Sequence, residues 1–340
     1  MASDILVQVT RGDMVECVHR GSIAVVNSEG KLLYGKGEPA MYSYLRSSAK
    51  PVQAIPVVES GAADHFNLTE KEIAIFCASH SGEEQHTETV FSILKKIGME
   101  ENAFACGTHM PVYLPAAKAL IVAGKKSSEV HCNCSGKHSG MLTYAQFQGY
   151  PIEGYTEAEH PVQKAALKEV SYFAAMKEEK VVCGVDGCGV VVFGMPVYNM
   201  ALMFARLADT DQLPEAKSAA VQRIIAAMMK YPEMVGGTGR LCTDLMTHTN
   251  GKLFAKSGAE GVYTVGVPDR KIGIAVKIDD GNSRGIGCVI IEVLKQLGIL
   301  DLDELEALRK HHWITQKNHR NDVVGEIKPA FELSTMGGMK

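Results

Sequence analysis

A serine and a lysine stand three residues apart in segment 46–51, which reads Arg-Ser-Ser-Ala-Lys-Pro. Proline is tolerated in the first turn of a helix, so a helix that begins near Ser47 places the side chains of Ser47 and Lys50 on one face. A serine hydroxyl becomes a nucleophile when a neighbouring base takes its proton, and a neutral lysine can be that base. The pattern is also common in solvated helices, so it indicates catalysis only together with other residues.

Two later segments supply such residues. Ser79 follows an apolar run, and Lys256 precedes a Ser-Gly pair ahead of a predicted strand. In serine β-lactamases a Ser-x-x-Lys helix is followed, in the same order, by a serine-centred triplet and a Lys-Thr-Gly strand. We therefore predict two Ser–Lys pairs that face each other across a cleft, Ser47 with Lys50 and Ser79 with Lys256.

Thiols, imidazoles and an amine are concentrated in residues 131–140, and Cys188 lies in an Asp-Gly-Cys-Gly segment. Side chains of these types bind first-row metals, most simply zinc. Neither segment has the Cys-x-x-Cys spacing of a structural zinc site, and Lys137 can bind a metal only after it loses its proton. The residues alone leave two interpretations open, a metal site and a polar, glycine-rich loop of the active site, and they favour the loop.

Several long and irregular segments together resemble the asparaginase II family, the rhizobial-type L-asparaginases. The resemblance extends over nearly the whole chain up to about residue 297, in segments 46–54, 77–83, 133–141, 186–189, 239–242 and 256–261. It implies an L-asparagine amidohydrolase, usually a homodimer, with a fold similar to serine β-lactamases and glutaminases.

The resemblance also implies roles for single residues. It makes catalytic pairs of Ser47 with Lys50 and of Ser79 with Lys256. The zinc ligands that it implies are Cys134, Lys137 and Cys188, and the residues that it places close to the site are His138, Asp186 and Cys242. Zinc held through a lysine can organise the site or hold substrate without activating water, so the resemblance does not make zinc essential for turnover.

The predicted mechanism begins with attack of Ser47 on the side-chain amide of asparagine while Lys50 accepts the serine proton. Ammonia leaves, and water then hydrolyses the aspartyl ester to L-aspartate. In the alternative assignment Ser79 is the nucleophile, and the sequence does not decide between the two serines.

Recognition of the free amino acid requires a carboxylate for its ammonium group and a cation for its carboxylate. Asp186 or Glu260 are candidates for the first, and Arg46 or His138 for the second. Glu260 and Arg46 are equally well explained as an ordinary ion pair.

Three other functions stay open. A pocket longer by one methylene changes preference by only ~1–3 kcal/mol, so a glutaminase is not separated from an asparaginase. Another acyl-serine amidohydrolase is a second alternative, and a zinc-containing asparagine sensor without catalysis is a third.

Hydrophobic periodicity predicts a mixed fold of the α/β (α+β) class. Residues 5–10 and 14–36 resemble short strands, and residues 261–267 and 272–278 resemble a hairpin around a turn that begins with proline. We expect the strands from both chain ends to share one antiparallel sheet flanked by helices. Predicted helices cover residues 70–75, 84–97, 161–175, 200–208, 215–230 and 283–297.

We interpret residues 1–333 as a single two-lobed catalytic domain. The sheet lobe takes in about 1–45 and 250–300, and the helical lobe about 46–249. Residues 301–333 are predicted to form one helix, 301–310, and a solvated end, and residues 334–340 a disordered tail.

Composition limits the partners. The 340 residues carry a formal charge of -4 and a pI near 6.3, which gives no field to attract nucleic acid or anionic lipid. Asp4 and Arg11 interrupt the N-terminus where a signal peptide needs apolar residues. The nine cysteines, an odd number, indicate reduced thiols. We expect a cytoplasmic enzyme that acts on a small molecule.

Overall fold

The structure is a computed structural model and describes residues 3–336. The chain folds into two units, the first formed by residues up to 48, 195–209 and from 244 onward, and the second by residues 49–194 and 210–243. The strands are β1 (Asp4–Arg11), β2 (Met14–Asn27), β3 (Leu32–Lys36), β4 (Tyr42–Tyr44), β5 (Val182–Val185), β6 (Val191–Pro196), β7 (Phe254–Gly258), β8 (Val262–Val267), β9 (Ile272–Ile278), β10 (Ile314–Lys317), β11 (Val323–Pro329) and β12 (Ser334–Thr335).

The helices are α1 (Lys50–Gln53), α2 (Ile55–Glu59), α3 (Ala62–His65), α4 (Glu70–Phe76), α5 (Glu84–Lys96), α6 (Leu114–Val122), α7 (Ser135–Gln148), α8 (Pro161–Ala174), α9 (Val197–Ala208), α10 (Glu215–Lys230), α11 (Pro232–Val235), α12 (Leu241–Thr249), α13 (Ile286–Gln296), α14 (Leu302–Ala307) and α15 (Arg309–His312). A short 3-10 helix, Arg46–Ala49, leads directly into α1.

The first unit contains the predicted antiparallel sheet. Its strand order is β10-β11-β1-β2-β9-β8-β7, and β3 pairs with both β2 and β12. Strands from the two chain ends meet where β2 pairs antiparallel with β9, with Ala24 opposite Ala275. The fold class predicted from the sequence, an antiparallel sheet from both chain ends with flanking helices, is confirmed.

Helices cover the middle of this sheet. Every residue of β9 is buried, and because side chains of a strand alternate between faces, both faces are covered there. Helices α9 and α13 both pack against β9. Gly273 makes the approach of α9 possible, since a Cβ atom at this position would lie 2.0 Å from the carbonyl oxygen of Ala201.

The second unit is mainly helical, and α7 packs against several of its helices, including α2, α4, α5 and α8. Two glycines one turn apart on α7 allow the close approach to the end of α4. A Cβ atom at Gly136 would lie 2.2 Å from the Ile75 carbonyl oxygen, and one at Gly140 would lie 3.0 Å from the Phe76 ring. This packing places the N-terminus of α7 beside the segment that follows α4.

The C-terminal part differs from its prediction. Residues 301–310 were predicted as one helix, whereas α14 and α15 are separated at Leu308. The expected solvated end instead contributes β10 and β11 to the sheet, and β12 pairs with β3 inside the segment that was expected to be disordered. Residues 337–340 of that segment lie outside the described residues. Among residues 3–336 no helix is long and apolar enough to cross a membrane.

Candidate active site

Lys50 lies at the start of α1 with 1% of its surface exposed. Its Nζ donates hydrogen bonds to the carbonyl oxygen of Ala78, to the hydroxyl oxygen of Ser79 at 3.1 Å and to the sulfur of Cys134 at 3.4 Å. One buried amine therefore joins the serine segment after α4 to the thiol that precedes α7. The contact between Lys50 and Ser79 is a pairing that the sequence analysis did not predict.

Ser79 itself is 6% exposed, and its backbone amide donates to the carbonyl oxygen of Val235 at 3.0 Å. The next residue, His80, is fully buried and holds α7: its Nε2 lies 2.8 Å from the hydroxyl of Ser135. Because the amide of Gly82 donates to His80 Nδ1, the ring carries its proton on Nε2 and donates it to Ser135. Burial, and then the charges of His86 and Lys50, lower the pKa of His80 well below its usual range, so this ring is neutral.

The three predicted metal ligands, Cys134, Lys137 and Cys188, come together in the second unit. Lys137 donates to the sulfur of Cys188 at 3.1 Å, and the thiols of Cys188 and Cys134 are hydrogen-bonded to each other. All three side chains are buried. Cys188 reaches this position from the tight turn between β5 and β6, in which the Gly187 amide donates to the Asp186 carboxylate at 2.8 Å.

The charges of this cluster favour a thiolate at Cys134. Hydrogen bonds with the thiols of Cys132 and Cys188, helped by the charges of Lys50 and Lys137, hold the pKa of Cys134 well below its usual range. Burial alone would lower the pKa of Lys137, but the charges of Cys134 and Cys188 outweigh it and raise this pKa. Two amines therefore surround one anionic sulfur.

A soft thiolate, a second thiol and an amine on converging side chains are a donor set that fits zinc, with Lys137 as a ligand once its proton has been displaced. Among residues 3–336 no group of three or more His, Cys, Asp or Glu side chains is arranged to hold a metal ion. The candidate set at Cys134 and Cys188 therefore depends on the lysine as its third ligand.

His138 lies next to this cluster on α7 and is fully buried. The phenol of Tyr155 accepts from the Ala105 amide and lies 2.6 Å from His138 Nδ1, so its own proton points to the imidazole. His138 then carries its proton on Nε2, which has no hydrogen-bond partner in the described part of the chain. Burial and the charge of Lys137 lower its pKa well below the usual range, so His138 presents a neutral N–H donor without a positive charge.

The first unit holds the remaining catalytic candidates. Ser47 is part of the 3-10 helix that precedes α1, as the proline pattern predicted, and it is half-buried. The neighbouring Ser48 hydroxyl donates to the carbonyl oxygen of Lys256 at 3.1 Å, and Gly258 packs against the carbonyl oxygen of Leu45. The turn that contains Ser47 is therefore tied to strand β7, where Lys256 is fully buried.

Two predicted substrate contacts of this unit form an ion pair, in which Arg46 Nη1 lies 3.8 Å from Glu260 Oε1. Their side chains are 27% and 66% exposed, so the ordinary ion-pair explanation describes their geometry. Cys242 is buried near the start of α12, in the second unit.

The residues alone favoured a glycine-rich loop at 131–140, and this interpretation was wrong from Ser135 onward, because this part is the buried helix α7. Two of its hydroxyls are satisfied within the helix: Ser139 donates to the Gly136 carbonyl oxygen and Thr143 to the Ser139 carbonyl oxygen, both at 2.7 Å. Sequence reasoning also missed His80, Ser135 and Tyr155, which position the site. His80 adjoins Ser79, and this proximity was the available signal.

Comparison with known families agrees with the motifs. The sequence model of the L-asparaginase II family matches residues 7–329. A comparison with curated proteins found no match.

Solved structures show a distant likeness. The Mglu protein in its native form at 4.3 M NaCl has 16% identity and a TM-score of 0.47, over 84% of this chain and 63% of the Mglu chain. This chain thus spans just under two thirds of the Mglu chain. A β-lactamase from Mycobacterium bovis has 12% identity and a TM-score of 0.41, over 77% of this chain and 88% of the other. A putative β-lactamase from Bacteroides dorei has 11% identity and a TM-score of 0.42, over 81% of this chain and 93% of the other.

Proposed function

Because the chain belongs to the L-asparaginase II family, we propose that it is an amidohydrolase that converts L-asparagine to L-aspartate and ammonia through a serine nucleophile with Lys50 as general base. The observation that carries this proposal is the buried hydrogen bond between Lys50 Nζ and Ser79 Oγ. It puts the Lys50 amine, which both nucleophile assignments use as the base, in a buried position in contact with the second candidate serine.

The two serines have different roles in this proposal. Ser47 is the more exposed of the two and attacks the amide carbon, while Lys50, three residues later, accepts its proton. Ser79 keeps Lys50 in place through the observed hydrogen bond. Lys256 forms a second pair with Ser79. The reverse assignment, with Ser79 as nucleophile, is favoured by the 3.1 Å contact and is separated by the experiment below.

Neutrality of Lys50 is the main requirement of this mechanism. Only a neutral amine has the electron pair that accepts the serine proton, so Lys50 must be deprotonated when the serine attacks.

Cys134, Lys137 and Cys188 would hold zinc. A bound zinc ion would supply a fixed positive charge that attracts the substrate or stabilises the start of α7. His138 Nε2, the Asp186 carboxylate and Cys242 are the substrate contacts that we propose beside it. Arg46 and Glu260 are proposed contacts for the two charged ends of the amino acid. The proposal includes a cytoplasmic homodimer.

The test is ammonia release from L-asparagine and L-glutamine by the wild type, Ser47→Ala and Ser79→Ala. Loss of the nucleophile should lower kcat by ~10⁴-fold or more, and loss of the supporting serine by less. Ser48→Ala is the matched control, because it removes a neighbouring buried hydroxyl that donates to the Lys256 carbonyl oxygen on β7. Folded wild type that releases no ammonia from either amide would overturn the proposal and favour an asparagine-binding protein without catalysis.

A further inference from the structure

A second set of buried contacts joins the serine segment to the glycine-rich loop before α12. The alternate residues Ser79, Ser81 and Glu83 all reach toward residues 235–238. The Ser79 amide donates to Val235, and the Ser81 hydroxyl donates to the Gly236 carbonyl oxygen at 2.9 Å.

Glu83 makes the most specific of these contacts. Its two carboxylate oxygens accept from the backbone amide of Thr238 at 2.7 Å and from the Thr238 hydroxyl at 2.9 Å. Gln85 donates to the same carboxylate at 3.1 Å. Glu83 is only 9% exposed, and the Thr238 amide, the Thr238 hydroxyl and the Gln85 amide are all neutral donors. The carboxylate therefore serves as a bidentate acceptor instead of an ion-pair partner.

The loop is shaped for this contact. Gly237 has a φ of 109°, and a Cβ atom there would lie 2.6 Å from a Glu83 carboxylate oxygen and 2.7 Å from the Ser81 hydroxyl. Its amide donates to Thr243 Oγ1, which belongs to helix α12. Any side chain at position 237 would push the loop away from the serine segment.

We propose that Glu83 is a positioning residue of the active site. Its carboxylate clamps Thr238 and fixes residues 236–240, and with them the start of α12 that carries Cys242, against the segment of Ser79. Glu83 acts through these residues and does not touch the reacting atoms. As a role in catalysis, this inference rests on the proposed function.

The hydrogen-bond geometry, not the charge, is what the clamp requires. In Glu83→Gln the amide oxygen still accepts from the Thr238 amide, and the Thr238 hydroxyl can accept from the new NH₂ group instead of donating. Glu83→Ala removes both contacts. The conservative variant therefore separates a positioning role from a role of the negative charge.

The experiment compares hydrogen exchange of residues 236–240 with steady-state kinetics in the full-length chain. We expect exchange at Thr238 to accelerate at least ~10-fold in Glu83→Ala and to stay within about threefold of wild type in Glu83→Gln. In Glu83→Ala kcat for asparagine should fall by about 10-fold or more with a smaller change in KM, and Glu83→Gln should restore it.

Two glycine variants test the clamp from the loop side. Gly237→Ala should reproduce the exchange and kinetic changes of Glu83→Ala. Gly239→Ala is the matched control, because Gly239 also has a positive φ, of 71°, but a Cβ atom there meets nothing within 4 Å.

Unchanged exchange at Thr238 in Glu83→Ala overturns the clamp, whatever the activity. Faster exchange with unchanged kcat overturns its catalytic role. A wild type that protects Thr238 but hydrolyses neither amide leaves the clamp standing and overturns the proposed function, so the two failures are distinguishable.

Discussion

Lys50 Nζ lies 3.1 Å from Ser79 Oγ although 29 residues separate the two in the chain. This contact joins the Ser-x-x-Lys segment to the serine segment after α4 and makes Lys50 the residue on which both nucleophile assignments depend. The same nitrogen also donates hydrogen bonds to the Ala78 carbonyl oxygen and the Cys134 sulfur, so three hydrogen bonds fix its position.

Replacement of Lys50 should abolish most activity whichever serine attacks. Lys50→Met removes the base, and we expect kcat/KM for asparagine to fall by ~10²–10⁴-fold. Lys50→Arg keeps a donor for the Ala78 carbonyl oxygen but stays protonated, so it should be as inactive as the methionine variant. Thermal unfolding of both variants is the control for folding. A folded arginine variant with near-wild-type kcat would contradict the general-base role.

Zinc content should depend on the thiols of Cys134 and Cys188. Elemental analysis should find about one zinc per chain in the wild type and loss of it in Cys134→Ser and Cys188→Ser. Cys183→Ser, at an exposed position on the neighbouring strand, should retain the metal. Because the Lys137 proton must leave on binding, zinc affinity should increase as pH rises. Full zinc content in Cys134→Ser would exclude this ligand set.

The sheet could be predicted because apolar alternation in the hairpin strands is strong and local. Strand β10 was missed because Ile314–Lys317 is short, half exposed and at the edge of the sheet. Strand β11 was missed because Glu326 and Lys328 interrupt its few apolar residues. Helix α7 was missed for a different reason. Its buried face is made of glycines and polar residues such as Lys137, so no apolar period marks it.

The site follows the same division. Ser47, Lys50, Ser79 and the thiols could be chosen from the sequence because their residue types imply chemistry at short spacing. Glu83 and His80 act through backbone and hydroxyl groups that are distant in the chain, which only the fold brings near. Spacing alone also could not show that Lys50 contacts Ser79.

Glu292 should make folding sensitive to acid. Burial opposes its charge, but hydrogen bonds from His312, Gln296 and Lys295 lower its pKa from 4.5 to about 2. A carboxylate whose pKa is depressed in the folded state stabilises it above the unfolded pKa, and this contribution disappears as pH falls toward the folded pKa. After allowance for solvent screening, Glu292→Gln should cost about 1–2 kcal/mol at neutral pH.

Urea unfolding across pH measures this cost. The difference between wild type and Glu292→Gln should be constant above about pH 5 and shrink as pH falls from about 4.5 toward 2. Glu306→Gln, whose ion pair with Arg309 is 74% and 71% exposed, should change little at any pH. A destabilisation by Glu292→Gln that increases as pH falls would show that folding does not lower the pKa of Glu292.

Gly273 should tolerate no side chain, because β9 and α9 meet at its Cα atom. An added Cβ would lie 2.0 Å from the Ala201 carbonyl oxygen and 2.3 Å from the Ala205 amide nitrogen, and both are backbone atoms that cannot rotate away. Gly273→Ala must therefore separate helix from sheet, and we expect a loss of about 3 kcal/mol or more in unfolding free energy. Gly187→Ala, with no atom within 4 Å of its Cβ position, is the control and should change the free energy by less than about 0.5 kcal/mol. Equal urea midpoints for the two variants would contradict the close packing of α9 on β9.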